Sequence, residues 1–272
     1  MTNDTKDPAQ DRIEETLQIS LVQPLLVWED VRANLEMLEN MLTGVPEETD
    51  LILLPETFST GFTMQADLFA EEEGEGPAQV WMREVAAKKN ATLAGSLITR
   101  AGERIYNRLY WVSPAGVEGH YDKRHLFRMG REDQNFYPGG ARKIFTCFAF
   151  RFMPQICYDL RFPVFSRNRG DYDILFYAAN WPAPRHAVWE TLLRARAIEN
   201  QAFVLGVNRV GRDGEGIDHL GGTCVVDPAG NVTKLPDKLP GILNISVDLE
   251  EIREFRRKVT AWKDADSFTL EL

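Results

Sequence analysis

The stretch R-F-M-P-Q-I-C-Y-D-L-R-F-P at 151–163 holds an apolar run from Phe152 to Ile156, delivers Cys157 to its end and then turns polar. A cysteine in such a run either packs as a small hydrophobe, as most free cysteines do, or stands at a strand end as a nucleophile. Two other groups bear on the choice. In L-I-L-L-P-E-T-F at 51–58 a continuous apolar strand, of the kind buried on both faces, ends at Pro55, which lacks a ladder donor. Glu56 is thereby placed at the rim of a buried sheet beside Phe58 and Phe62. Apolar surroundings disfavour the charged form of a carboxylate, which suits it to accept a proton and return it. In H-Y-D-K-R-H-L-F-R-M at 120–129, Lys123 follows a short alternating strand and precedes Leu126 and Phe127. Alone it reads as a solvated lysine, Glu56 as a loop glutamate and Cys157 as core. What they share is a place beside a strand end.

The elements that would position them follow from periodicity. Residues 17–22 and 51–54 read as strands, with 31–42 between them at helical period and Asp30 as its cap. A helix over 78–89 and a strand over 92–98 come next. Residues 105–112 alternate and S-P-A-G at 113–116 is turn chemistry, so a hairpin follows. Further strands are expected at 144–148, 152–157, 174–178, 203–207, 222–226 and 242–247, with helices near 185–201 and 249–257. The stretch E-E-E-G-E-G at 71–76 reads as a solvated loop. Nothing divides this pattern, which predicts a polar N-terminal tail over 1–16 and one α/β domain over 17–272. Strands of both kinds suggest two mixed sheets packed together with helices outside.

A formal charge of −10 and a pI near 5.0 argue against a nucleic-acid or anionic-membrane partner. The three cysteines, Cys147, Cys157 and Cys224, are odd in number and match no zinc spacing, and no apolar leader precedes them. The expected compartment is the reducing cytoplasm. No run approaches the roughly 18 apolar residues of a membrane span.

Taken with their surroundings, the three segments resemble the nitrilase superfamily of carbon–nitrogen hydrolases. The carriers are LPETF with Glu56, YDKRHLF with Lys123 and ICYDLRFP with Cys157, followed by AANWPAPR and ARAIENQ. The similarity runs from about Leu17 to Trp262 and is strongest to the bacterial omega-amidase branch. It implies a four-layer αββα sandwich, association as a homodimer, and hydrolysis with neither metal nor organic cofactor. It also implies a Glu56–Lys123–Cys157 triad. Glu56 would take the thiol proton, and Lys123 with a backbone N–H, that of Tyr158, would stabilise the oxyanion. Glu132 aligns with a second glutamate that orients the lysine or assists the water. None of His120, His125, His186 or His219 is required.

Substrates of that branch are small monoamides of short dicarboxylates, which carry a carboxylate distal to the amide. Binding it calls for a cation or N–H donors. Arg128, Arg131, Arg185 and Arg209 are candidates, and Arg128 joins Tyr158, Trp181 and Phe62 in the expected substrate-binding set. Arg161 is expected in a structural ion pair. The same triad serves nitriles, N-carbamoyl compounds and aliphatic amides, and a silent binding module on this fold is a further alternative.

Overall fold

The computed structural model describes residues 15–271. Two β-sheets lie face to face. The first contains β1 (Thr16–Gln23), β2 (Leu51–Leu53), β3 (Glu71–Glu72), β4 (Thr92–Ala101), β5 (Arg104–Ser113), β6 (Gly116–Asp122) and β15 (Gly241–Asp248). Its order is β15-β1-β2-β4-β5-β6, with β3 added along β4. The second contains β7 (Phe145–Cys147), β8 (Phe150–Ile156), β9 (Ile174–Ala179), β10 (Phe203–Asn208), β13 (Cys224–Val226) and β14 (Val232–Lys234). There the order is β14-β13-β10-β9-β8-β7. Both sheets are mixed: β1, β2 and β4 run parallel, with β3 parallel to β4, as do β8, β9 and β10, while the remaining pairs are antiparallel. A separate two-stranded ribbon joins β11 (Val210–Arg212) to β12 (Asp218–Leu220).

The period of two assigns side chains to layers. Leu17, Ile19 and Leu21 of β1 and Leu109 and Trp111 of β5 face the second sheet, where Phe150, Phe152 and Ile156 meet them in one apolar core. The Trp111 ring stacks on Phe145 at 5.3 Å and tilts against Phe152 at 5.2 Å, joining the layers. The opposite face of the first sheet presents Val22, Ile52, Leu93 and Tyr110 to helices α1 (Val31–Leu42) and α3 (Pro77–Lys89), which contribute Leu38, Leu42, Met82 and Val85. Between these helices lies the single turn α2 (Ala66–Phe69); α4 (Pro163–Ser166) is equally short. Helix α5 (His186–Asn200) covers the second sheet through Trp189, Leu193 and Ala197, and α6 (Leu249–Lys258) adds Ile252. The fold is therefore a four-layer αββα sandwich. Among the described residues no helix is long and apolar enough to cross a membrane.

Local chemistry sets the helix ends. Asp30 caps α1 by accepting from Ala33 N–H at 2.9 Å. Pro77 occupies the first turn of α3, and Asn90 ends it in the left-handed region at φ 51°.

Several expectations are corrected. The predicted tail lies outside the described residues except for Glu15, whose carbonyl accepts from Leu249 N–H, and Thr16, already strand. The acidic stretch 71–76 is not simply a solvated loop. Glu71 is buried, pairs along β4 within β3, and caps α3 by accepting from Ala78 N–H at 2.8 Å and Gln79 N–H at 3.2 Å. Charge composition concealed this because a helix N-terminus offers a carboxylate unpaired donors. Strands β11, β12 and β14 were missed, being three-residue elements without apolar runs. Glu71→Ala is expected to cost about 1–2 kcal/mol, the scale of a lost cap, in a urea unfolding titration, whereas Glu72→Ala, exposed beside it, should leave the midpoint unchanged.

Candidate active site

Four strands end at one place. Glu56 follows β2 by three residues, Lys123 directly follows β6, Cys157 directly follows β8, and Asn180 directly follows β9. Each departure is fixed by backbone bonds. Leu54 N–H donates to Ala94 O at 2.7 Å, and Lys123 N–H to Asn107 O at 2.9 Å. Gly139, in the Y-P-G-G turn, donates to Lys123 O at 2.8 Å, so close that a Cβ there would lie 2.1 Å from Asp122 O. That approach is open only to glycine.

The Lys123 ammonium lies between two buried carboxylates, 2.7 Å from Glu56 Oε1 and 2.9 Å from Glu132 Oε1. It also sits 5.0 Å from the centroid of the Phe62 ring. The carboxylates are tied down further. Glu56 Oε1 accepts from Asn107 Nδ2 at 2.8 Å, and Oε2 from Asn180 N–H at 2.8 Å. Glu132 Oε2 accepts from Phe127 N–H at 2.5 Å. Burial alone would lower the pKa of Lys123, but the adjacent charges of Glu132 and Glu56 outweigh it and raise it, so the ammonium stays protonated. Burial pushes Glu132 up, with Lys123 opposing.

Cys157 occupies the left-handed region at φ 44°, a strained conformation for a residue with a Cβ. It opens the one-turn 3₁₀ helix Cys157–Arg161. The turn is held by buried Asp159, whose carboxylate accepts from Ile156 N–H at 3.0 Å, Tyr121 OH at 2.8 Å and His125 N–H at 2.9 Å. One side chain thus ties the residue before the cysteine to the segment around Lys123. Burial, then the negative charge of Glu56, pushes the Cys157 thiol well above its usual range, with Lys123 opposing. The resting sulfur is therefore held as a thiol, which needs a base before it can serve as a nucleophile. N–H groups in the first turn of a helix find no acceptor within it, which is where the N–H of Tyr158 stands.

Lys123 and Cys157 open into a cavity of about 510 Å³ whose walls include Phe62, Tyr158, Trp181, Arg131, Arg161 and Arg185. The structure thus brings Glu56, Lys123, Glu132 and Cys157 together, and places Phe62, Tyr158 and Trp181 around them. It does not bring Arg128, whose side chain is 85% exposed and 3.7 Å from Asp133. The loop after Lys123 turns at Arg131, φ 59°, and directs Arg128 outward. Arg209 is buried outside the cavity, donating to the carbonyls of Leu26 and Val210. Arg161 corrects the opposite way: among the described residues no carboxylate pairs with it, and its guanidinium lies 5.4 Å from the Trp181 ring and 5.9 Å from that of Tyr158. Sequence reasoning also missed Asn107, Asn180 and Asp159. Asn107 carried a signal, since it shares the inward parity of Leu109 and Trp111 and is polar where they are apolar.

A buried carboxylate, a fixed ammonium and a thiol thus meet beside one cavity, an arrangement suited to acyl transfer through sulfur. The chain belongs to the carbon–nitrogen hydrolase family, whose model matches residues 18–257. It is 44% identical over 255 residues to the omega-amidase YafV of Escherichia coli K12, covering 93% of this chain and 98% of that one. It is 32% identical over 236 residues to the 2-oxoglutaramate amidase of Bacillus subtilis 168, covering 85% and 90%. Among solved structures, XC1258 of Xanthomonas campestris, a CN-hydrolase superfamily protein with an arsenic adduct in its active site, superposes with a TM-score of 0.91 at 40% identity, covering 94% of this chain and 99% of that one.

The charges around the sulfur predict opposite responses. Glu56→Gln should move the pH dependence of Cys157 alkylation by iodoacetamide to lower pH, because a negative charge is lost. Lys123→Met should move it to higher pH. Mass spectrometry of the modified cysteine checks both, with buried Cys147 and Cys224 as internal references.

Proposed function

We propose that the protein is an omega-amidase that hydrolyses the terminal amide of short dicarboxylate monoamides, 2-oxoglutaramate and 2-oxosuccinamate, to the dicarboxylate and ammonia. The observation that carries this reading is the pair Arg161 and Arg185. Both line the cavity that holds Cys157. Arg161 packs on Trp181, Arg185 lies 4.9 Å from the centroid of Phe127, and neither has a carboxylate partner among the described residues. Burial pulls the pKa of Arg185 below its usual value and the like charge of Arg161 adds to the effect. Two neighbouring cations without a counter-charge suit a substrate that brings its own anion.

The mechanism follows from the hydrogen bonds. Glu56 Oε1 accepts from both Lys123 and Asn107 and Oε2 from Asn180 N–H alone, so Oε2 is the oxygen that takes the Cys157 proton as sulfur attacks the amide carbon. The oxyanion meets the Lys123 ammonium and the Tyr158 N–H. Glu56 returns the proton to nitrogen, ammonia leaves and a thioester remains. Glu56 then deprotonates a water that attacks the thioester, releasing the acid and restoring the thiol. Glu132 keeps the ammonium in place throughout. The roles of Trp181 and Phe62 are those of pocket walls.

Residues 17–272 form one domain in this reading, supported by the apolar core that both sheets share. The setting in this reading is the cytoplasm, and the family resemblance supports a homodimer, which light scattering after gel filtration would register as a doubled mass.

Cys157→Ala is expected to abolish ammonia release from 2-oxoglutaramate with the circular dichroism spectrum unchanged. Lys123→Ala should lose at least about a hundredfold in kcat, the scale of one deleted oxyanion donor. Arg161→Met and Arg185→Met should each raise KM for 2-oxoglutaramate by about tenfold or more, the scale of one charge-assisted hydrogen bond, and leave KM for butyramide within about twofold. Equal effects on both substrates would remove the arginines from carboxylate recognition.

A further inference from the structure

Asn107 sits in mid-strand and touches the site from behind. Its Nδ2 donates to Glu56 Oε1 at 2.8 Å and to Glu132 Oε1 at 3.3 Å, and its backbone carbonyl receives Lys123 N–H at 2.9 Å. Its own orientation is fixed, because Ser96 Oγ donates to Asn107 Oδ1 at 2.8 Å. The same Ser96 Oγ accepts from Thr57 N–H at 2.8 Å, next to Glu56 in the chain. Asn107, Ser96, Glu56, Glu132 and Lys123 are all buried, and Asn107 does not line the cavity.

Two carboxylates that share one ammonium repel one another, and each has two oxygens to choose between. An amide hydrogen aimed at Oε1 of both sets that choice. We propose that Asn107 is a positioning residue for the amidase reaction: its side-chain amide, locked by Ser96, holds Oε1 of Glu56 and of Glu132 on Lys123 and thereby turns Glu56 Oε2 toward the Cys157 thiol. The inference rests on Glu56 being the base of the proposed hydrolysis. Asn107 itself meets neither substrate nor sulfur and acts through Glu56. The charged and titratable groups that face Glu56 are Lys123 after β6, Glu132, and Cys157 after β8; from the end of β9 come the neutral backbone N–H and side-chain amide of Asn180.

The signs are definite. Removing a donor from a carboxylate favours its protonated form, so the base is ionised only at higher pH and the acid limb of kcat/KM moves upward. A further negative charge beside the thiol makes thiolate formation harder, so the alkylation profile moves upward as well.

The test compares wild type with Asn107→Asp, which keeps the acceptor toward Ser96 and exchanges the donor for a third acid, and Asn107→Leu, which deletes the donor without adding charge. For ammonia release from 2-oxoglutaramate, kcat should fall about a hundredfold in Asn107→Asp, KM should stay within about threefold, and the acid limb should rise by about one pH unit. Asn107→Leu should shift the limb in the same direction by less, and it decides the matter where the Asp variant does not fold. Iodoacetamide labelling of Cys157 against pH is the second readout and needs no substrate; it separates a failure of the relay from a wrong choice of amide. An acid limb and a labelling profile that coincide with wild type in a folded variant, whatever the loss of amplitude, overturn the proposal. A KM that rises with kcat unchanged overturns it too.

Discussion

The Lys123 ammonium between two buried carboxylates is the interaction on which the site depends. Taking charges out of water is costly, and attraction offsets the cost only where the remaining oxygens and protons are also satisfied. Here the satisfaction is nearly complete: Glu56 has donors from Lys123, Asn107 and Asn180, and Glu132 from Lys123, Asn107 and the backbone of Phe127. Those donors come from β5, from the ends of β6 and β9 and from the loop after Lys123. The cluster can be neutralised only if strands from both sheets end in register at one edge, so the electrostatics of a few atoms constrains the sandwich as a whole.

From that constraint the character of the nucleophile follows. Burial first, and then the negative charge of Glu56 against the opposing Lys123, keeps the neighbouring sulfur protonated. A Cys–His pair would do the reverse, since an imidazolium stabilises a thiolate before substrate arrives. What the structure supplies beside the protonated sulfur is fixed geometry. Cys157 is forced into a left-handed turn at the strand end, and Asp159 binds that turn to Tyr121 and His125 on either side of Lys123. Strain in the backbone and order in the hydrogen bonds hold sulfur and ammonium in a fixed relation.

Much of this was legible because chemistry-bearing residues stood where periodic patterns stopped. The apolar runs before Glu56 and Cys157 announce strands, and the break at Pro55 or the turn to polarity after Ile156 marks an edge. Asp30 and the helix behind it were equally plain. What one dimension hides is how strands far apart in sequence pair. Nothing local joins Asn107 to Glu132 or Asp159 to Tyr121, and a lone polar residue in an alternating strand reads as surface until its parity is compared with its neighbours. Arg128 and Arg161 were misassigned for the same reason: a left-handed residue at 131 sends one outward, while the turn at 157–161 lays the other on Trp181. Glu71 shows the complement, a carboxylate in an acidic run whose burial depends on where α3 begins.

The protonated state of the resting sulfur has a consequence outside turnover. Peroxide attacks thiolates, and the passage from sulfenic to irreversible sulfinic and sulfonic acids begins only where a thiolate is exposed. A cysteine kept neutral by burial and by the carboxylate beside it offers oxidants little thiolate to strike. The same protonation that withholds the sulfur from attack thus slows its entry into that passage.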